Sequence, residues 1–222
     1  MDTVTTPSYK EGLQELRQNL RQILPADSLS IFDNDAVDLD DSLVNILSVK
    51  KGDTAPDFNL LNATGENVRL YDKLESHRIV LVFYRGTWCP YCNLALSQYQ
   101  SILPSIHKAG ATLIAISPQT PDQSLNIKEK NELSFEVLSD NGNMVARLYT
   151  KVFQYKEKPL AEMSNLGFDF DSFYSDDSHE IPVPAVFIIE QNGEISFAKT
   201  EGGDYRNRTE AKNILLHLTA TT

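Results

Sequence analysis

Cys89 and Cys92 are the only cysteines in the 222-residue chain, and they stand three positions apart. In an oxidising compartment such a pair can be a small structural disulfide; in a reducing one it reads as a redox pair or as half a metal site. Tetrahedral zinc needs two further ligands. The four histidines, His77, His107, His179 and His217, form no paired motif that would supply them. Nothing in the chain suggests secretion, so a purely structural disulfide is also weakly motivated, and redox chemistry is the main reading. The run Phe83-Tyr84-Arg85-Gly86-Thr87-Trp88-Cys89-Pro90-Tyr91-Cys92 reads as the end of a buried strand, a short turn and a helix opened by Pro90. Cys89 then lies near the helix N-cap and Cys92 in its first turn. Unpaired N–H groups and the helix dipole favour negative charge there, and the thiolate is the reactive form of cysteine.

The elements that must carry this pair follow from periodicity. Ile79 to Tyr84 is a continuous apolar run, as expected of a strand buried on both faces. Pro90 opens a helix carrying Leu94, Leu96, Tyr99, Ile102, Leu103 and Ile106, which closes near Gly110. Thr112–Ser117 is the next buried strand. A polar helix follows over about 121–132, then strands at Phe135–Leu138 and Ala185–Glu190, a hairpin turn at Gln191–Glu194, a returning strand at Ile195–Ala198 and a last helix over about 209–218. Two short strands, Phe58–Leu61 and Asn67–Leu70, precede this core. Ahead of Gly52, Thr6 as cap and Pro7 in the first turn open an amphipathic helix that Pro25 stops. A second amphipathic stretch runs through Leu39, Leu43, Val44, Ile46 and Leu47 to about Gly52. Residues 1–50 are thus expected to be an N-terminal helical extension, with a dimer contact as an additional role, and residues 51–222 the main domain. The aromatic and acidic stretch of about 151–181 reads as an insertion. Without extension and insertion the order is β-α-β-α-β-β-α: an α/β protein with a mixed central sheet flanked by helices, which is the order of the thioredoxin fold.

Composition bounds the function. A net charge of −11 argues against general binding to nucleic acid or anionic membrane. No apolar run approaches the ~20 residues that span a bilayer, and Met1–Lys10 lacks a basic-then-apolar signal pattern. The expected location is therefore cytoplasmic.

Gly52-Asp53-Thr54-Ala55-Pro56-Asp57-Phe58 resembles the G-x-x-A-P-D-F opening of peroxiredoxins. Val82-Phe83-Tyr84 resembles the strand before their peroxidatic cysteine. Ala115-Ile116-Ser117, Val137-Leu138-Ser139-Asp140, and Phe187-Ile188-Ile189 with Asn192-Gly193 resemble later family segments. The likeness covers roughly residues 50–200. It implies a thioredoxin-like fold and the peroxiredoxin-like branch of the alkyl hydroperoxide reductase and thiol-specific antioxidant family.

The departures from the family pattern bear on mechanism. Aligned from Tyr84, the family's P-x-x-x-T-x-x-C loop puts Arg85 at the proline, Cys89 at the threonine and Cys92 at the peroxidatic cysteine. A thiol thus replaces the hydroxyl that orients peroxide, and Cys89-Pro90-Tyr91-Cys92 is also the C-P-Y-C of glutaredoxins, where the first cysteine attacks. The family's late arginine is missing at Val183-Pro184, leaving Arg85, Arg206 and Arg208 as candidate cations. Pro184 has the place of the cis-proline that faces the dithiol in thioredoxin-fold oxidoreductases. Arg85, Thr87, Trp88, Tyr91 and Pro184 are the expected substrate-binding residues.

Two enzymatic readings follow. In a thiol peroxidase, Cys92 attacks a hydroperoxide, Cys89 resolves the sulfenic acid as a disulfide, and a thioredoxin- or glutathione-type thiol restores both. In a general thiol–disulfide oxidoreductase, Cys89 attacks and Cys92 resolves. A third reading is a binding or redox-sensing module. Neither enzyme needs a bound cofactor or metal, because the sulfur atoms carry the electrons.

Overall fold

The computed structural model of the chain describes residues 6–220. The first five residues of the polar opening lie outside the described residues. Helix α1 (Tyr9–Ile23) is capped by Ser8, whose Oγ accepts a hydrogen bond from the Glu11 N–H at 3.3 Å. Thr6 and Pro7 therefore precede the helix instead of opening it. The chain turns at Pro25 into α2 (Ala26–Ser42). This helix ends earlier than the apolar spacing suggests. The Ser48 N–H donates to the Tyr149 carbonyl at 3.0 Å and the Ile46 carbonyl accepts from Lys151 at 2.8 Å, so strand-like pairing takes over from helix.

The main body follows as β1 (Asn59–Asn62), β2 (Asn67–Arg69), α3 (Leu70–Leu74), β3 (Arg78–Phe83), α4 (Pro90–Ser101), α5 (Leu103–Lys108), β4 (Ala111–Ser117), α6 (Pro121–Lys130), β5 (Glu136–Ser139) and α7 (Ala146–Tyr149). Then come β6 (Val152–Gln154), α8 (Glu157–Asn165), β7 (Glu180–Pro182), β8 (Ala185–Ile189), β9 (Ile195–Thr200) and α9 (Ala211–Ala220). The single helix expected over 90–110 is two helices. Pro104 lies in the first turn of α5 and has no N–H to continue the ladder of α4.

Seven strands form one mixed sheet in the order β2-β1-β5-β4-β3-β8-β9. β3 pairs parallel with β4 and antiparallel with β8, so it is central. Side-chain alternation sends Val80 and Val82 into one core and Ile79, Leu81 and Phe83 into the other. This is the thioredoxin-like arrangement that the element order implies. Both cysteines belong to the core on the Val80 side, beneath α1 and α2.

The 151–181 stretch builds its own small antiparallel sheet from β6 and β7, with α8 between them. It leans on α2 through Ser28 Oγ to Glu162 (2.5 Å) and the ion pair Lys156–Asp38 (3.0 Å).

The N-terminal helices also grip the loop between β9 and α9. Asp40 Oδ1 accepts from the Gly203 and Asp204 N–H groups at 2.9 and 3.2 Å. The Tyr205 hydroxyl donates to the Phe32 carbonyl at 2.7 Å, Arg206 pairs with Asp33 at 2.7 Å, and Tyr9 donates to the Arg206 carbonyl at 2.8 Å. At the other end, Glu210 accepts from the Tyr9 and Lys10 N–H groups at 2.7 and 3.0 Å, satisfying donors that the start of α1 leaves free. The loop passes so close to α2 that a Cβ on Gly203 would run into the Leu39 carbonyl. Gly203→Ala is accordingly expected to destabilise the chain by about 1–3 kcal/mol, the usual range for overpacking, read as a lowered midpoint in urea denaturation.

Candidate active site

The site forms where β3 ends. The Tyr84 N–H still pairs with the Ile116 carbonyl of β4 at 3.0 Å, and the chain then loops through residues 85–88 into α4. Cys89 is the N-cap of α4 in an extended conformation (φ −86°, ψ 109°), Pro90 follows, and Cys92 falls in the first turn, as expected. The Cys92 and Asn93 N–H groups both bond the Cys89 carbonyl at 3.1 Å, which fixes the turn. Both cysteines are reduced, buried and 3.2 Å apart.

Of the candidate cations, Arg208 is the one at the thiols. Its Nη2 lies 3.0 Å from Cys92 Sγ and 3.9 Å from Cys89 Sγ. Its Nη1 donates to the carbonyls of Tyr205 and Asn207, the latter at 2.6 Å, which aims the guanidinium. Arg206 is held instead in ion pairs with Asp204 and Asp33 at 2.8 and 2.7 Å.

Arg85 is buried, and its guanidinium lies 3.8 Å from the ring centre of Tyr205, 4.7 Å from Trp88 and 4.9 Å from Tyr155. Desolvated cation–π contacts of this kind reach about 2 kcal/mol or more each, which offsets part of the cost of burying the charge. Its Nε and Nη2 have no hydrogen-bond partner. The Arg85 backbone contributes separately, through a hydrogen bond to Cys92.

These contacts divide the thiols. Burial works against charge on Cys92, but the hydrogen bond from Cys89, the charge and N–H of Arg208 and the backbone bond from Arg85 outweigh it. Cys92 is held well below the ordinary thiol range. Burial pushes Cys89 well above it; the hydrogen bond to Cys92 and the charge there add to the effect, against the pull of Arg85 and Arg208. The environment of the pair thus favours the thiolate at Cys92, the sulfur nearer Arg208, over the thiolate at Cys89.

The loop is braced from several sides. Thr87 and Gln119 bond reciprocally, Thr87 N–H to Oε1 at 2.8 Å and Nε2 to Oγ1 at 3.1 Å, and Asn93 donates to the Thr87 carbonyl at 2.9 Å. Trp88 donates to the Tyr174 hydroxyl at 2.7 Å, and Tyr174 donates to the Arg85 carbonyl at 3.1 Å. Trp88 also stacks on Tyr155 (5.7 Å) and tilts against Phe170 (5.2 Å). The 151–181 stretch is thus clasped to the loop through its aromatics. Tyr91 is buried against Tyr205, and burial pushes its phenol up to about 12.

Pro184 lies beside Cys92 and Arg208, lining a cavity of about 10 Å³. The cis bond expected there is absent: peptide bonds among the described residues are trans, Val183–Pro184 included. β7 runs into β8 as extended chain, with the Val183 N–H on the Lys151 carbonyl (2.8 Å) and the Val183 and Pro184 carbonyls accepting from Thr150 and Thr200, both at 3.0 Å.

Sequence reasoning passed over Gln119, Tyr9, Tyr155, Tyr174 and Tyr205. Gln119 had a signal, since it follows β4, whose end neighbours the cysteine loop in a parallel pairing. The tyrosines had none beyond aromatic density, because contacts made across some 70 to 200 residues of chain decide their place.

The end of β3 thus presents a buried pair of thiols at a helix N-terminus, in a thioredoxin-like sheet. The sequence profile of the AhpC/TSA family matches residues 51–198, and the chain belongs to that family. It is 31% identical to Peroxiredoxin Bcp of Escherichia coli K12 over 101 residues, which is 46% of this chain and 64% of that protein, less than two thirds of its length. The crystal structure of peroxidoxin BcpB from Mycobacterium tuberculosis superposes with a TM-score of 0.62 at 20% identity, covering 78% of this chain and 99% of that one. The bacterioferritin comigratory protein of Xanthomonas campestris gives 0.57 at 17% identity over 74% and 91%. These likenesses confirm the fold.

If Arg208 holds the charge on Cys92, Arg208→Met should raise the pH at which the thiolate absorbance of the reduced protein appears by about 1–3 pH units, the range for removing an adjacent opposite charge. The sign follows from the lowered thiol: absorbance persists as pH falls until Cys92 takes up its proton. Loss of Arg208 moves that step toward neutral or alkaline pH.

Proposed function

We propose that the chain is a thiol-dependent peroxidase in which Cys92 is the peroxidatic sulfur and Cys89 the resolving one. The observation that carries this reading is the 3.0 Å contact between Arg208 Nη2 and Cys92 Sγ, against 3.9 Å from the same nitrogen to Cys89 Sγ. The Cys92 thiolate attacks the terminal oxygen of a hydroperoxide. The O–O bond breaks, an alcohol or water leaves, and Cys92 becomes a sulfenic acid. Cys89 then attacks that sulfur, an S–S bond forms and water departs. An external thiol reductant, of the thioredoxin or glutathione class, returns both residues to the reduced state.

Arg208 and the Cys89 S–H supply the donors that stabilise negative charge on the departing oxygen, the part played by oxyanion donors elsewhere. The cavity shared by Cys92, Pro184 and Arg208 has room for about one water-sized group, enough for one oxygen atom of a peroxide beside the sulfur. Family membership supports the reading, as does the activity named for the Xanthomonas campestris protein, alkyl peroxide reduction.

A second reading has one observation in its favour. Cys89, and not Cys92, borders the larger of the cavities described at the site, which suits a thiol–disulfide oxidoreductase attacking through Cys89. The two readings separate by substitution. Under the peroxidase reading, Cys92→Ser loses peroxide consumption. Cys89→Ser performs a single turnover, gives a dimedone adduct at Cys92 by mass spectrometry and over-oxidises readily. The rival requires Cys89→Ser to be inert and Cys92→Ser to trap mixed disulfides.

A further inference from the structure

The two sulfurs face different spaces. Cys92 borders the cavity of about 10 Å³ with Pro184 and Arg208. Cys89 borders a separate, partly open cavity of about 390 Å³, lined by α1, α2, the end of α6, the 151–181 stretch and the cysteine loop; Cys92 takes no part in its wall. Most of that wall is apolar, including Leu20, Leu24, Phe32, Met163, Leu166 and Phe168. Its volume falls in the range of small-molecule sites.

The polar groups in the wall favour an anion. Arg85 is fully buried there, with Nε and Nη2 unpartnered, and Lys130 adds a second cation. The wall carboxylate, Asp33, is already paired with Arg17 at 3.0 Å and Arg206 at 2.7 Å. Asp35 of α2 also has unpartnered carboxyl oxygens near Arg85, but it does not line the cavity, and burial pushes its carboxyl up.

We propose that this cavity admits the reductant of the Cys89–Cys92 disulfide, and that the reductant is a low-molecular-mass thiol with an apolar chain and a carboxylate, not a folded protein. The inference rests on the disulfide cycle described above and narrows its second half. The reductant thiolate attacks Cys89 Sγ from the cavity. The S–S bond breaks and its electron pair leaves on Cys92, which Arg208 receives as a thiolate. Leaving from the sulfur of lower pKa is the faster course. A second reductant thiolate attacks the reductant's sulfur in the mixed disulfide. It releases the small disulfide and a Cys89 thiolate, which takes a proton from solvent. Peroxide and reductant thus reach the dithiol from separate cavities.

The test isolates this half-reaction. Diamide oxidises the full chain to the disulfide without peroxide, so the outcome does not depend on whether the protein consumes peroxide, which is measured separately on the reduced form. Reduction is followed through Trp88, the sole tryptophan, which stands next to Cys89. The probes are 6-mercaptohexanoate, 6-mercaptohexan-1-ol, 2-mercaptoethanol and a reduced thioredoxin. At equal thiolate concentration, 6-mercaptohexanoate should exceed 2-mercaptoethanol by about tenfold or more, given three further methylenes to bury. It should show saturation, with 6-mercaptohexan-1-ol between the two. Phe168→Glu, at a half-exposed wall position, should slow 6-mercaptohexanoate by a larger factor than 2-mercaptoethanol. Equal, unsaturable rates for the small thiols would overturn the proposal. So would a thioredoxin that outpaces all of them and is indifferent to Phe168→Glu.

Discussion

A guanidinium and a cysteine sulfur buried side by side, with the thiolate favoured on that sulfur, constrain everything around them. Neither charge is tolerable alone in a core, where an unpaired ion costs several kcal/mol. Arg208 and Cys92 lie 116 residues apart in the chain, so the fold must bring the first turn of α4 and the loop before α9 within 3.0 Å. The central strand β3 delivers the cysteine. The arginine arrives on a loop without secondary structure of its own, and the N-terminal helices hold that loop at Gly203, Asp204, Tyr205 and Arg206. Tyr9, buried at the start of α1, closes the clasp. The extension ahead of residue 51 is thus tied to the chemistry through a cation it does not itself carry.

How far the chain could be read in advance follows from the range of the interactions. The buried strands, the helix opened by Pro90 and the hairpin at Asn192-Gly193 were legible because local pattern and tertiary burial agree there. So was the thiol pair, whose position relative to Tyr84 and Pro90 is a matter of neighbouring residues. The end of α2 was not, because pairing of Ile46 and Ser48 with the segment around Thr150 overrides an apolar pattern that would extend the helix. Nor was the choice among Arg85, Arg206 and Arg208. Arg206 and Arg208 are two positions apart, and only the partners Asp33, Asp204 and the Tyr205 carbonyl decide which of them turns toward the sulfurs.

Arg85 shows how a departure from the family loop is accommodated. A cation at that place faces three aromatic rings, two of them from segments outside the cysteine loop: Tyr155 from the 151–181 stretch and Tyr205 from the loop gripped by α2. The same rings wall off the thiols. The 151–181 stretch and the late loop therefore meet at one guanidinium, and α1 and α2 complete the wall of the space left beside Cys89.

The central claim is that the reduced dithiol carries its single proton on Cys89 and its charge on Cys92. The sulfhydryl stretch in the infrared spectrum of the reduced protein at neutral pH reads this directly. The account predicts one S–H band in the native chain, absent from Cys89→Ser because Cys92 remains a thiolate beside Arg208. An S–H band that persists in Cys89→Ser and vanishes in Cys92→Ser would place the proton on Cys92 and contradict the account.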